Sequence, residues 1–212
     1  MTPMNQNRRQ FIKKFLAAIP LVLVATKGAV CESVKPSVVQ SYNLDFITAD
    51  MDILRRDSWT QVLPRTWLLR QATEFEKITV HHVGKTKNFD IAKKTVVRDL
   101  DGILTEHMDR SYGDIGYHFI VDYAGRLWEG RSLAFEGAHV SGQNDRNIGI
   151  VCLGNFDVQK PSEGQLITVE QIIYVLREQY GIKQNRIFGH CDLGPSACPG
   201  ENLYPNIIKL RE

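Results

Sequence analysis

From residue 78 onward, apolar positions along the chain repeat with two different periods. Ile78-Thr79-Val80-His81-His82-Val83 is β-branched and apolar, which predicts a buried strand carrying two histidines at its end. Residues 84–88 follow as a loop. From Asp90 to about Met108, Ile91, Val96, Val97, Leu100, Ile103, Leu104 and Met108 recur three or four apart. That spacing predicts an amphipathic helix despite Gly102, broken at residues 111–114. Two apolar runs, Tyr117 to Val121 and Arg126 to Trp128, flank Asp122-Tyr123-Ala124-Gly125, a hairpin pattern with Gly125 where a positive φ is required. Asn147 to Leu153 predicts another buried strand. Thr168-Val169-Glu170-Gln171 has the form of a capping box, and Ile172, Ile173, Leu176 and Tyr180 continue at helical spacing until Gly181. A short strand at Arg186 to Phe188 leads into His190. Strands alternating with helices predict an α/β domain, a central mixed β-sheet flanked by helices.

The first residues belong to a different category. Arg8-Arg9-Gln10-Phe11-Ile12-Lys13-Lys14 precedes an apolar run from Phe15 to Ala25, the order of a twin-arginine export signal. The run carries Pro20, ends at Thr26-Lys27 and falls short of the ~20 apolar residues a spanning helix needs, so no stable membrane span is expected. The division expected is a signal peptide over residues 1–31, a polar linker over 32–50 and one domain over 51–212. The destination is periplasmic or secreted. Cys31 follows Gly28-Ala29-Val30, a poor match to a lipoprotein cleavage site, which points to a mature protein without a lipid anchor.

Charge changes the picture once the signal is set aside. The 212 residues carry 26 Lys and Arg against 24 Asp and Glu. Five of those bases lie before residue 31, leaving acids in excess, and the remainder shows no basic patch of the kind nucleic-acid binding requires. The cysteines at 31, 152, 191 and 198 lack the spacing of a small disulfide scaffold.

Candidate chemistry lies in His190-Cys191-Asp192-Leu193-Gly194-Pro195-Ser196-Ala197-Cys198. An imidazole and a thiol stand at the two ends of a short loop, able to hold one metal. Zinc takes imidazole nitrogen and thiolate sulfur, and a catalytic site uses three protein ligands; His81 is the candidate third. By spacing alone a Cys191–Cys198 disulfide is an alternative, and so is a structural zinc site closed by Cys191 as fourth ligand.

Six motifs in register give a resemblance. Ile78 through His82, Asp114-Ile115-Gly116-Tyr117-His118-Phe119-Ile120, Glu129-Gly130-Arg131, Gly137-Ala138-His139, Asn144 through Ile150, and Gly189-His190 through Cys198-Pro199-Gly200 resemble the type 2 amidase and peptidoglycan recognition protein family, from Arg56-Asp57-Ser58-Trp59 to Tyr204. The resemblance implies a zinc-dependent N-acetylmuramoyl-L-alanine amidase acting on peptidoglycan or muropeptides. It implies one catalytic Zn²⁺ on His81, His190 and Cys198, and a catalytic hydroxyl on Tyr117. It implies contacts to sugar or peptide from His107, Arg110, His139 and Asn144. Ser196 departs from the Lys or Thr common two residues before the cysteine ligand; a serine there keeps a catalytic hydrogen-bond donor without charge. A recognition module that binds peptidoglycan without cutting it is the rival within the same family.

Overall fold

A computed structural model describes residues 44–48 and 51–212. The expected export signal, Cys31 and most of the expected linker lie outside the described residues. In chain order the elements are α1 (Asp45–Thr48), β1 (Ile53–Leu54), β2 (Lys77–His82), α2 (Lys93–Asp109), β3 (Phe119–Val121), β4 (Leu127–Glu129), β5 (Asn147–Cys152), α3 (Glu163–Tyr180), β6 (Ile187–Gly189) and α4 (Tyr204–Lys209). The strands form one sheet in the order β1-β4-β3-β5-β2-β6. Of these strand pairs only β3 and β4 run antiparallel, joined through Gly125 at φ +82, and the other pairings are parallel. The sheet is therefore mixed, as the alternation of elements predicts.

Side chains alternate between the two faces. Ile78 and Val80 of β2, Phe119 and Val121 of β3, and Ile148 and Ile150 of β5 pack with Val169, Ile172, Ile173 and Leu176 of α3. Ile120, Trp128 and Val151 point the other way and pack with Val96, Leu100, Leu104 and Met108 of α2. Both faces are thus covered by a helix, which accounts for the nearly continuous apolar reading of β2 and β5. The apolar stripe of α2 is the one the spacing predicts, although the helix begins at Lys93 because Asp90 Oδ1 accepts from Ala92 N and holds a turn ahead of it.

Two expectations about the elements need correction. The capping box is not at Thr168. Ser162 Oγ accepts from Gln165 N, and Gln165 Oε1 accepts from Ser162 N, so α3 already starts at Glu163. Ser162-Glu163-Gly164-Gln165 carries the same motif, and Thr168 lies inside the helix with its hydroxyl donating to Gly125 O at 2.6 Å. The far end closes as expected, on Gly181 at φ +65. The linker expected over 32–50 also ends early: Leu44 and Ile47 are buried in the core on the α3 face.

Candidate metal centre and active site

The carboxyl ends of neighbouring parallel strands supply the first two groups. Val80 of β2 stands opposite Gly189, the last residue of β6, so His81, still paired with Val151 of β5, and His190 stand side by side with ring centroids 4.8 Å apart, where open α/β sheets hold their ligands. The chain then folds back through residues 190–200. Cys191 N donates to Cys198 O at 2.8 Å, Cys198 N donates to Ser196 Oγ at 3.1 Å, and His82 N donates to the Cys198 sulfur at 3.3 Å. Gly200, at φ +91, lies so close to Phe156 that any Cβ there would meet its carbonyl carbon at 2.5 Å. These contacts bring Cys198 Sγ to 3.6 Å from His81 Nδ1. One donor atom each from His81, His190 and Cys198 lies within 4.8 Å of the others, a group able to hold a metal ion. Cys191 is outside that group, and Cys191 and Cys198 are both free thiols.

Burial sets the protonation of this centre. The His81 imidazole is held well below its ordinary range by desolvation, with His139, His190 and His82 adding to the shift. His190 is lowered by burial as well. Both rings are therefore neutral, the form that ligates. Burial pushes the Cys198 thiol up to about 12, opposed by the His82 N–H; a cation at the centre is what would ionise it.

Tyr117 stands beside the group, its ring centroid 5.3 Å from that of His81 and 5.5 Å from that of His107. Burial raises its phenol further above neutrality, so it is a proton-bearing donor. Its backbone is fixed from the hairpin, where Arg131 N donates to Tyr117 O at 2.8 Å and Gly130 passes so close that a Cβ would overlap that oxygen. The buried Arg131 guanidinium donates to the carbonyls of Tyr112, Asp114, Ile115 and Glu136, tying together the loops on either side of Tyr117. His107, on the last turn of α2, accepts from Gly116 N through Nδ1 at 2.9 Å, which leaves Nε2 as the N–H of the neutral ring.

The other expected residues fall into two groups. Arg110 and His107 line the same hollow as Tyr117, with Arg110 paired to Glu106 at 3.8 Å and its guanidinium over Tyr112. His139, Asn144 and Ser196 are instead engaged by the protein. His139 Nδ1 is 3.0 Å from His81 Nε2, and its own Nε2 is 3.2 Å from Asn147 O. Asn144 Oδ1 accepts from His139 N and Val140 N. Ser196 Oγ accepts from the backbone of Cys198.

The sequence profile of the N-acetylmuramoyl-L-alanine amidase family, Amidase_2, matches residues 71–201. The chain belongs to this type 2 amidase and peptidoglycan recognition protein family. It is 31% identical over 164 residues to a peptidoglycan recognition protein of Trichoplusia ni, covering 76% of this chain and 88% of the relative. Among solved structures, it resembles the ectodomain complex of peptidoglycan recognition proteins LCa and LCx bound to tracheal cytotoxin, with a TM-score of 0.68 and 28% identity over 75% of this chain and 96% of that one. It shares the fold of the N-acetylmuramoyl-L-alanine amidase LysC from Clostridium intestinale, with a TM-score of 0.63 and 24% identity over 76% of this chain and 95% of that one.

In this amidase-family domain, Tyr117 connects the three-donor group to a hollow of about 560 Å³ whose walls include Lys85, Arg98, Glu106, His107 and Arg110. Lys85 is ion-paired to Glu106. A second hollow of about 360 Å³ is lined by Tyr112, Ala138, Asn144 and Arg70. Lys85 and Arg98 are not among the residues that motifs single out. Asp99, Gly102 and Glu106 of α2 and Arg110 just past its end recur three or four apart, and this second, polar face of the helix is the signal that could have found its side of the wall. Among the described residues no helix is long and apolar enough to cross a membrane.

Proposed function

We propose that the chain is a zinc-dependent N-acetylmuramoyl-L-alanine amidase, hydrolysing the amide between the lactyl group of N-acetylmuramic acid and the L-alanine of the stem peptide. The observation that carries this reading is the convergence of His81, His190 and Cys198, with the protonated Tyr117, which also lines a hollow, packed against His81. The donor set fits zinc. Bonds of about 2.0 Å to nitrogen and about 2.3 Å to sulfur at a tetrahedral angle separate the two donors by about 3.5 Å, close to the 3.6 Å between His81 Nδ1 and Cys198 Sγ. Three protein ligands leave a fourth position for water or substrate, the pattern of catalytic rather than structural zinc.

Zinc bound there supplies a Lewis acid that polarises an amide carbonyl and acidifies a water. The chain's own groups do the rest. Tyr117 presents its O–H toward the carbonyl oxygen as charge develops on it, and a preorganised donor of this kind contributes most in a water-poor site. His107 offers its Nε2–H to the substrate from the same wall. Lys85, Arg98 and Arg110 line the hollow together with Asp99 and Glu106, the latter shared by Lys85 and Arg110, and offer cationic hydrogen-bond donors to the carboxylates of a stem peptide. Ser196 and Asn144 act on the loops that carry Cys198 and His139.

Peptidoglycan or its muropeptides are the partner this reading requires, supported by the tracheal cytotoxin held by the LCa and LCx relatives. A module that only recognises peptidoglycan would need the groove but not the three donors. Export through the twin-arginine route follows from Arg8-Arg9 ahead of a short apolar run. Changing both to lysine traps precursor in the cytoplasm if that route is used, and unaffected export removes it. Incubating the full chain with a defined muropeptide, with and without a chelator, tests the activity: free stem peptide appears only in the metal-loaded sample, and equal release in both contradicts the metal requirement.

A further inference from the structure

We infer that His139 is a positioning residue that fixes the tautomer of His81 and so aims its Nδ1 at the metal; this rests on the reading of His81 as a ligand. One partner in the relay has no choice of role. A backbone carbonyl can only accept, so His139 Nε2, 3.2 Å from Asn147 O, carries a proton. In the neutral imidazole, Nδ1 is then an acceptor. It lies 3.0 Å from His81 Nε2, which must therefore be the N–H of that ring. The remaining nitrogen, His81 Nδ1, is left with its lone pair, and it is the atom that faces Cys198 Sγ at 3.6 Å. The reverse assignment would set a bare His139 Nε2 against the carbonyl of Asn147, lone pair to lone pair.

The fold is built to keep this relay in place. The His139 ring lies in a slot between Gly137 and Gly149, where a Cβ on either glycine would overlap His139 Cδ2. Asn144 clamps the backbone at both His139 and Val140. Asn147 O is delivered from the first residue of β5, whose strand pairs with β2. The His81 and His139 rings meet edge to face at 83° with centroids 5.0 Å apart. Metal-ligating histidines use the other ring nitrogen in this way to set orientation and basicity, and loss of such a partner weakens metal binding by about 10- to 100-fold.

This assignment removes His139 from the substrate contacts, because both of its ring nitrogens are committed within the protein. Two-bond ¹H–¹⁵N spectra of the metal-free full chain report the tautomer of each imidazole without any reference to amidase activity. His81 is expected as the Nε2–H form; an Nδ1–H form in the folded wild-type protein overturns the inference. His139→Leu fills the slot without an acceptor and should lower zinc affinity by at least about 10-fold in competition with a chromophoric chelator, with His81 losing its single tautomer. His139→Asn puts an amide oxygen near the position of Nδ1 and should recover most of that loss. A folded Leu variant with unchanged zinc affinity, or an Asn variant no tighter than the Leu variant, contradicts the assignment. If the Leu variant does not fold, the wild-type spectrum still decides. Absence of amidase activity alongside the expected tautomer and affinities would count against the proposed function alone.

Discussion

Each residue at the centre is defined by what its polar atoms can still do once the fold has used the others. Tyr117 keeps its proton because burial raises its phenol, and it is not one of the three donors. Tyr117→Phe should therefore retain zinc and the fold while kcat and kcat/KM fall together by at least about 10²-fold, the loss typical of a transition-state donor. Zinc content and muropeptide turnover measured on the same preparation check this, and near-normal turnover would reduce Tyr117 to a packing role. The two cysteines make a sharper pair. Cys198→Ser removes the sulfur 3.6 Å from His81 Nδ1 and should abolish both tight zinc binding and hydrolysis, whereas Cys191→Ser should leave both largely intact; elemental analysis of the two variants showing equal zinc loss would mean the shell is different. The sequence marks His81, His190 and Cys198 as candidates because imidazole and thiolate are among the few groups that bind zinc, and the fold brings one donor atom of each within 4.8 Å of the others. The roles of His139, Asn144 and Ser196 are not, because motif position says nothing of which hydrogen bonds a side chain has already made. Asn144 Oδ1 is taken by two backbone N–H groups and Ser196 Oγ by one.

Strands and helices are legible wherever burial imposes a period. The runs that form β2, β5 and α2 are apolar on the faces that meet the two core layers. What local pattern does not decide is which of two neighbouring Ser/Thr-x-x-Gln motifs caps α3, since the choice is made by tertiary contact. Thr168 is drawn to the Gly125 carbonyl of the hairpin, and Ser162 Oγ also donates to Tyr123 O at 2.7 Å while it caps the helix. Ser162→Ala should lower stability by about 1 kcal/mol through loss of the cap, with Thr168 unable to replace it. Urea unfolding with an unchanged m value measures this, and no change in midpoint would place the helix start elsewhere. The short elements β1, α1 and α4 escape the sequence for another reason: two to six residues carry too little period to register.

At the scale of the whole molecule, the domain keeps neutral imidazoles inside a core closed on both sides of the sheet. Burial holds His107 and His118 down to about 4, against ~6.5 for an exposed ring. Below ~6.5 the unfolded chain binds protons that the folded one refuses, so stability is full above that pH and is lost as pH falls toward 4. Two such groups give a slope of up to ~2.7 kcal/mol per pH unit within the window. Urea midpoints at pH 7.5 and pH 5 test the sign: a lower midpoint at pH 5 is expected, and a higher one would mean that these rings are charged in the folded state. The same closed core leaves a hollow lined by Tyr117, whose ring neighbours that of the donor His81, and water is proposed to attack a lactyl amide beside it. Hydrolysis of a defined muropeptide by the zinc-loaded chain in ¹⁸O-enriched water, followed by mass spectrometry, tests that reaction most directly. The expected products are a free stem peptide with an unlabelled L-alanine amine and a lactyl carboxylate carrying one ¹⁸O, with no release after chelation. Stoichiometric zinc with tight muropeptide binding and no cleavage would contradict it.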